Sequence, residues 1–180
     1  MDGLTPSIWF PVVTLVAGLV LKAVFDWLSE GRKDAVERRI RVEKRKEALL
    51  MQRIESQRKL LPELQEAISQ LMRCAGRVNL SDVQSYRGSG EWGKALLHPE
   101  LNEASREAFR SVTLYSVRVQ NDELRKAISD LSSTCTQITL ALSEQQSNGL
   151  LADASFKYVA VNEQIGAALR ALDASENAVI

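Results

Sequence analysis

Apolar and polar positions follow three different patterns along this chain, and each pattern predicts its own kind of helix. Residues 8–21 read IWFPVVTLVAGLVL, fourteen positions without a charge, and with Lys22 and Asp26 admitted the apolar run extends to Leu28. As a helix rising ~1.5 Å per residue, these 21 residues would measure ~31 Å, close to the hydrocarbon thickness of a bilayer. Trp9 and Trp27 lie 18 residues apart, ~27 Å along such a helix, a separation that suits two interfacial aromatic belts. Lys22 lies near the Trp27 end, from which it can snorkel, and Asp26 follows one turn later, in reach to pair with it. Pro11 falls near the start, where a missing backbone N–H costs least.

The second pattern, from Asp34 to Gln57, is charged and free of Gly and Pro. It predicts a solvated helix leaving the apolar segment, with a stripe for anionic lipid headgroups as its functional alternative. The third pattern is a repeat of apolar residues at 3/4 spacing. Leu50, Ile54, Leu61, Leu64, Ile68, Leu71 and Ala75 keep it, with Gln57 in the one polar slot. Pro62 is expected to kink this helix or to open a second one.

Pro99 suits the first turn of the next helix, in which Leu101, Ala108, Val112, Tyr115 and Val119 share a face. After Asn121-Asp122, a cap or hinge, Leu124, Ile128, Leu131, Cys135, Ile138 and Leu142 repeat the spacing. Six apolar residues so placed can be buried together only on a helix. Leu64, Ile68 and Leu71 are the expected facing stripe, in an antiparallel hairpin. Ser147-Asn148-Gly149 reads as a turn. A last helix is expected over about residues 153–172, with Phe156, Val159, Ile165, Leu169 and Leu172 inward. No segment alternates with period two long enough to predict a strand.

The predicted fold is all-α: a transmembrane anchor over 1–29, a charged helical neck over 30–59, and an antiparallel bundle of three to four helices over 60–180. Residues 79–98 are expected to form the loop between long helices.

Charge orients this picture. The chain is neutral overall, but residues 30–59 hold 11 Lys/Arg against 6 Asp/Glu. No basic residue precedes the apolar run, whereas Arg32, Lys33, Arg38, Arg39 and Arg41 follow it closely, so the positive-inside rule puts the body in the cytoplasm. A cleaved signal peptide would carry a basic start and a small-residue cleavage site, and neither is present. A core helix of a soluble protein is the other reading of the same run. Trp9, Lys22, Trp27, Arg32 and Lys33 are the candidate membrane-interface residues.

Candidate chemistry is sparse. Cys74 and Cys135 form no C-x-x-C pair, and His98 is the single histidine, so no metal or thiol–histidine site is expected. Both cysteines read as small core residues. A mildly acidic body lacks the clustered basic face that nucleic acid requires. Residues 88–95, GSGEWGKA, fit G-x-x-x-x-G-K but end in Ala95 where a phosphate loop needs Ser or Thr. Glu91 and Trp92 are unsuited to cradling phosphate, and no buried strand precedes them, so no nucleotide is expected. The stretch reads better as a connection between helices. Tyr86 and Trp92 would fold over the bundle end or, with Arg87, form a partner-binding patch.

The apolar run with its basic neck, residues 64–73 (LQEAISQLMR), Gly90-Glu91-Trp92 and residues 117–124 (VRVQNDEL) together resemble a group of small bacterial membrane-anchored proteins of unknown function. The resemblance implies a bacterial or mobile-element origin and an inner-membrane address, and implies no activity. The expected function is a non-enzymatic, membrane-tethered helical scaffold or partner-recruiting module. The alternative is a membrane-active effector, a phage lysis or host-defence component assembling through its span, for which Thr14-x-x-x-Gly18 is the packing motif. Expected partners are the lipid bilayer, another protein and a second copy of the chain. No catalytic residue, cofactor, nucleotide or nucleic acid is expected.

Overall fold

The computed structural model describes the backbone of residues 6–94 and 96–177, and the side chains of these residues from Val13 onward except at 23, 26 and 28–35. Among the described residues there are four helices and no strand: α1 (Pro6–Ser89), α2 (Pro99–Ser116), α3 (Asp122–Thr139) and α4 (Glu144–Asn177). The all-α expectation holds. The chain divides into two compact units, Met1–Leu50 and Met51–Ile180.

In the first unit every described side chain from Val13 to Leu50 is exposed. These side chains have no core of their own to enter. Arg41 pairs with Glu37 one turn earlier at 3.7 Å, a surface contact of small energetic weight.

The second unit is a four-helix bundle made by residues 51–89 of α1 with α2, α3 and α4. Its core follows the seven-residue repeat of α1: Ile54, Leu61, Ile68 and Ala75 on one row, Leu64, Leu71 and Val78 on the next, all buried. Leu124, Ile128, Leu131, Cys135 and Ile138 enter from α3, Ala108 and Val112 from α2, Ala154, Val161 and Ile165 from α4. Cross-helix hydrogen bonds set the directions. Gln65 with Asn162, Ser69 with Tyr158 and Asn79 with Ser147 run α1 against α4 in antiparallel register. Gln57 bonds to Arg118 and Gln120 in the connection that leads into α3, and Met72 touches Cys135 further on, so α1 and α3 are parallel. The stripe Leu64–Ile68–Leu71 therefore faces α3 in the same direction, and the antiparallel partner of α1 is α4 instead.

Helix ends explain the other departures from the expected elements. The segment from Asn79 to Ser89 is the last part of α1, so only residues 90–98 connect it to α2. Val78, Asn79 and Val83 are buried, and that burial holds the polar stretch in the helix. Pro62 does not open a second helix; α1 passes through it, with Leu60, Leu61 and Leu64 buried around it. Asn121 is the predicted cap, its side chain accepting the Leu124 N–H at 2.9 Å. α4 starts at Glu144, well before the expected Asp153. Ser143 accepts the Gln146 N–H at 3.2 Å and Gln146 accepts the Leu142 N–H at 2.9 Å, a reciprocal cap close to a capping box. Ser147 is then fully buried inside α4 rather than in a turn. Leu142 lies past the end of α3 and is 85% exposed. Phe156 and Val159, expected inward, point out, with Phe156 78% exposed.

Candidate functional site

The stretch GSGEWGKA begins in the last turn of α1, with Gly88 and Ser89 still helical. Gly90 adopts φ +74°, which only glycine takes without strain, and its N–H donates to the Tyr86 carbonyl at 2.8 Å. This is a helix C-terminal cap. Gly93, at φ +75°, turns the chain again, and Lys94 pairs with Glu91. A phosphate loop presents amides at a helix N-terminus, where the dipole is positive. Here the glycines close a C-terminus, the end of opposite sign, and the lysine is neutralised by a neighbour in the same loop.

Trp92 gives this connection its position. Its indole N–H donates to the Ala141 carbonyl at 2.8 Å. That bond ties the α1–α2 connection to the α3–α4 connection. Tyr86 meets Trp92 edge to face, ring centroids 5.8 Å apart at 69°. Arg87 reaches Glu144 at 3.7 Å while its side chain stays mostly exposed. So Tyr86 and Trp92 form one aromatic corner over the bundle end, and Arg87 sits beside it on the α4 side. Ala141 was not foreseeable as Trp92's partner, because a backbone carbonyl leaves no residue signature.

The residues expected at a membrane interface belong to the first unit. Lys22 and Trp27 are exposed, Trp27 by 73%. The side chains of Trp9, Arg32, Lys33 and Asp26 lie outside the described residues. Among the described residues no helix is long and apolar enough to cross a membrane. Those residues include the side chains of the 8–28 run only from Val13 on.

Both cysteines are buried and unpaired. Burial pushes the Cys135 thiol from its ordinary 9.0 up to about 11, against a smaller opposing pull from the Lys157 charge. Lys157 is held in place by Asp153 at 2.7 Å and the Thr134 hydroxyl at 2.8 Å. A thiol whose folded pKa is raised stays neutral, so its contribution to stability is complete below the unfolded value near 9 and is lost between about 9 and 11. Cys135 is therefore expected to resist iodoacetamide at pH 8 in the folded chain. Labelling of Cys135 is expected only in denaturant, read by peptide mass spectrometry. Rapid labelling of Cys135 in buffer would contradict the burial.

The described residues contain no group of three or more His, Cys, Asp or Glu able to hold a metal ion. A groove of about 490 Å³ lies instead between α1 and α2. Ala67, Cys74, Ala104, Ala108 and Tyr115 line it with Glu63, Glu66 and Glu107. Sequence reasoning did not find it, because it depends on which faces of α1 and α2 meet. No protein-family model, curated protein or solved structure matches this chain. The resemblance to small membrane-anchored proteins finds no support there.

Proposed function

We propose that this chain is a membrane-tethered, non-enzymatic helical module that recruits a partner protein at the cytoplasmic face of a bacterial membrane. One observation carries the tether. Val13, Leu15, Val16, Leu19, Val20, Leu21, Val24, Phe25 and Trp27 are all exposed and, at 100° per residue, surround the helix on every side. A helix with large apolar side chains on all sides, interrupted only by Lys22 and Asp26, belongs in a core or in lipid. The unit that contains it buries none of these side chains. With residues 8–12 of the same run, the segment has the length of a bilayer crossing.

The recruiting role rests on the second unit. Its charged groups pair along helix surfaces, as in Lys59 with Glu55, Arg106 with Glu103 and Arg110 with Glu107. Such pairs solvate a helix face and supply no convergent acid, base and nucleophile. Tyr86 and Arg87 at the bundle end are residue types that dominate interfaces.

The orientation is tested by C-terminal fusions in a bacterial host. Because the basic flank follows the run, a GFP fusion is expected to fluoresce and an alkaline phosphatase fusion to be inactive. The reverse pair of results would put the body outside the cytoplasm and end the recruiting role proposed here.

A further inference from the structure

We infer that the groove between α1 and α2 is the docking site for a basic amphipathic helix of a partner protein, an inference that rests on the recruiting role proposed above. The floor explains why a groove exists. Ala67 on α1 and Ala104 and Ala108 on α2 are too small to fill the space between the helices, and Cys74 and Tyr115 complete an apolar lining. The opening measures about 490 Å³, within the ~300–1,000 Å³ typical of binding clefts. Along α1 it runs from Glu63 to Cys74, which is ~16 Å or three helical turns. That length suits the apolar face of a short helix laid between two others, the helix-in-groove mode of recognition.

Charge selects the occupant. Glu63 and Glu66 stand on the α1 side and Glu107 on the α2 side, and no basic residue lines the groove. Glu66 and Glu107 are held by Arg73 at 2.9 Å and Arg110 at 3.6 Å, but all four of these side chains are at least 60% exposed. Exposed pairs of this kind are weak and exchange readily for an incoming cation. Glu63 has no ion-pair partner among the described residues. A helix with leucines on one face and lysines or arginines flanking them satisfies both the floor and the lips. An acidic helix would meet Glu63 unpaired and would have to displace Glu66 and Glu107 from their arginines. The larger depression of 860 Å³ along α4 mixes Glu163 with Arg170 and expresses no such preference.

The test uses the full chain in phosphatidylcholine nanodiscs and two fluorescein-labelled 14-residue peptides. One carries leucines at i, i+3, i+4 and i+7 with flanking lysines; the other has glutamates in place of the lysines. Saturable anisotropy is expected for the lysine peptide alone. Ala104→Trp, at an exposed position that fills the groove without entering the core, is expected to weaken it at least about tenfold, as is Glu63→Gln with Glu107→Gln. Empty nanodiscs set the background, and circular dichroism confirms that each variant stays helical. Absence of saturable binding, equal binding of both peptides, or binding indifferent to Ala104→Trp would overturn the inference. A chain that pellets with membranes yet binds neither peptide loses the groove and keeps the tether. A chain that binds the lysine peptide but does not pellet loses the tether and keeps the groove.

Discussion

Leu131→Ala is expected to destabilise the bundle by about 2–5 kcal/mol, the range for truncating a buried leucine. Leu131 is 1% exposed and lies in the core cluster with Leu64, Ile68, Leu71, Ile128 and Ile165, contributed by three helices. The surrounding side chains belong to different elements, so they cannot collapse into the vacancy together, and the cavity term adds to the lost burial. Phe156→Ala is the matched control. The larger side chain is removed from a site already in water, and a change of about 0.5 kcal/mol or less is expected. Thermal melts at two protein concentrations a hundredfold apart separate a monomeric bundle from an oligomer, whose midpoint would move with concentration. A Phe156→Ala loss as large as that of Leu131→Ala would show that α4 is rotated from the position described.

Gln57→Ala is expected to cost about 1–3 kcal/mol, the penalty of leaving buried polar groups without partners. Gln57 is the one polar residue in the apolar repeat of α1 that is itself buried, at 6% exposure. Its amide N–H donates to the Arg118 carbonyl at 3.0 Å and its carbonyl accepts the Gln120 N–H at 3.1 Å. One side chain thereby satisfies two backbone groups of the α2–α3 connection, and alanine satisfies neither. Hydrogen exchange at the Gln120 amide is expected to accelerate along with the loss of stability. Unchanged exchange at that amide would mean that water replaces the glutamine at no cost.

The repeats of α1 and α3 were legible because their buried rows are uniformly large and apolar. α4 hid its own repeat. Its inward rows are Ser147, Ala154, Val161 and Ala168, and Leu151, Tyr158, Ile165 and Leu172, each at intervals of seven. The first row is small and the exposed face carries Phe156 and Val159, so hydrophobicity places Ile165, Leu169 and Leu172 inward as found but puts Phe156 and Val159 on the wrong face. Ser147 is accommodated because Asn79 donates to its hydroxyl at 2.8 Å and to Asn148 at 3.0 Å. Both bonds come from a helix 68 residues earlier in the chain, which no local reading of Ser147-Asn148-Gly149 could supply. The start of α4 did have a local signal in Ser143-x-x-Gln146, a spacing that composition outvoted. At the candidate sites, Tyr86 and Trp92 were legible as aromatics in a glycine-rich connection. The groove was not, because its alanines come from two helices whose pairing the sequence does not state.

The tether is the part of the account from which the rest of the function follows, and carbonate extraction tests it most directly. Full-length chain expressed in bacteria is predicted to remain in the membrane pellet after a carbonate wash at high pH, which strips proteins held by charge alone. The same chain lacking residues 1–29 is predicted to move to the supernatant with its helical circular dichroism intact. Full-length protein released into the carbonate supernatant would contradict the account, and would assign the apolar surface from Val13 to Trp27 to a protein partner instead of a bilayer.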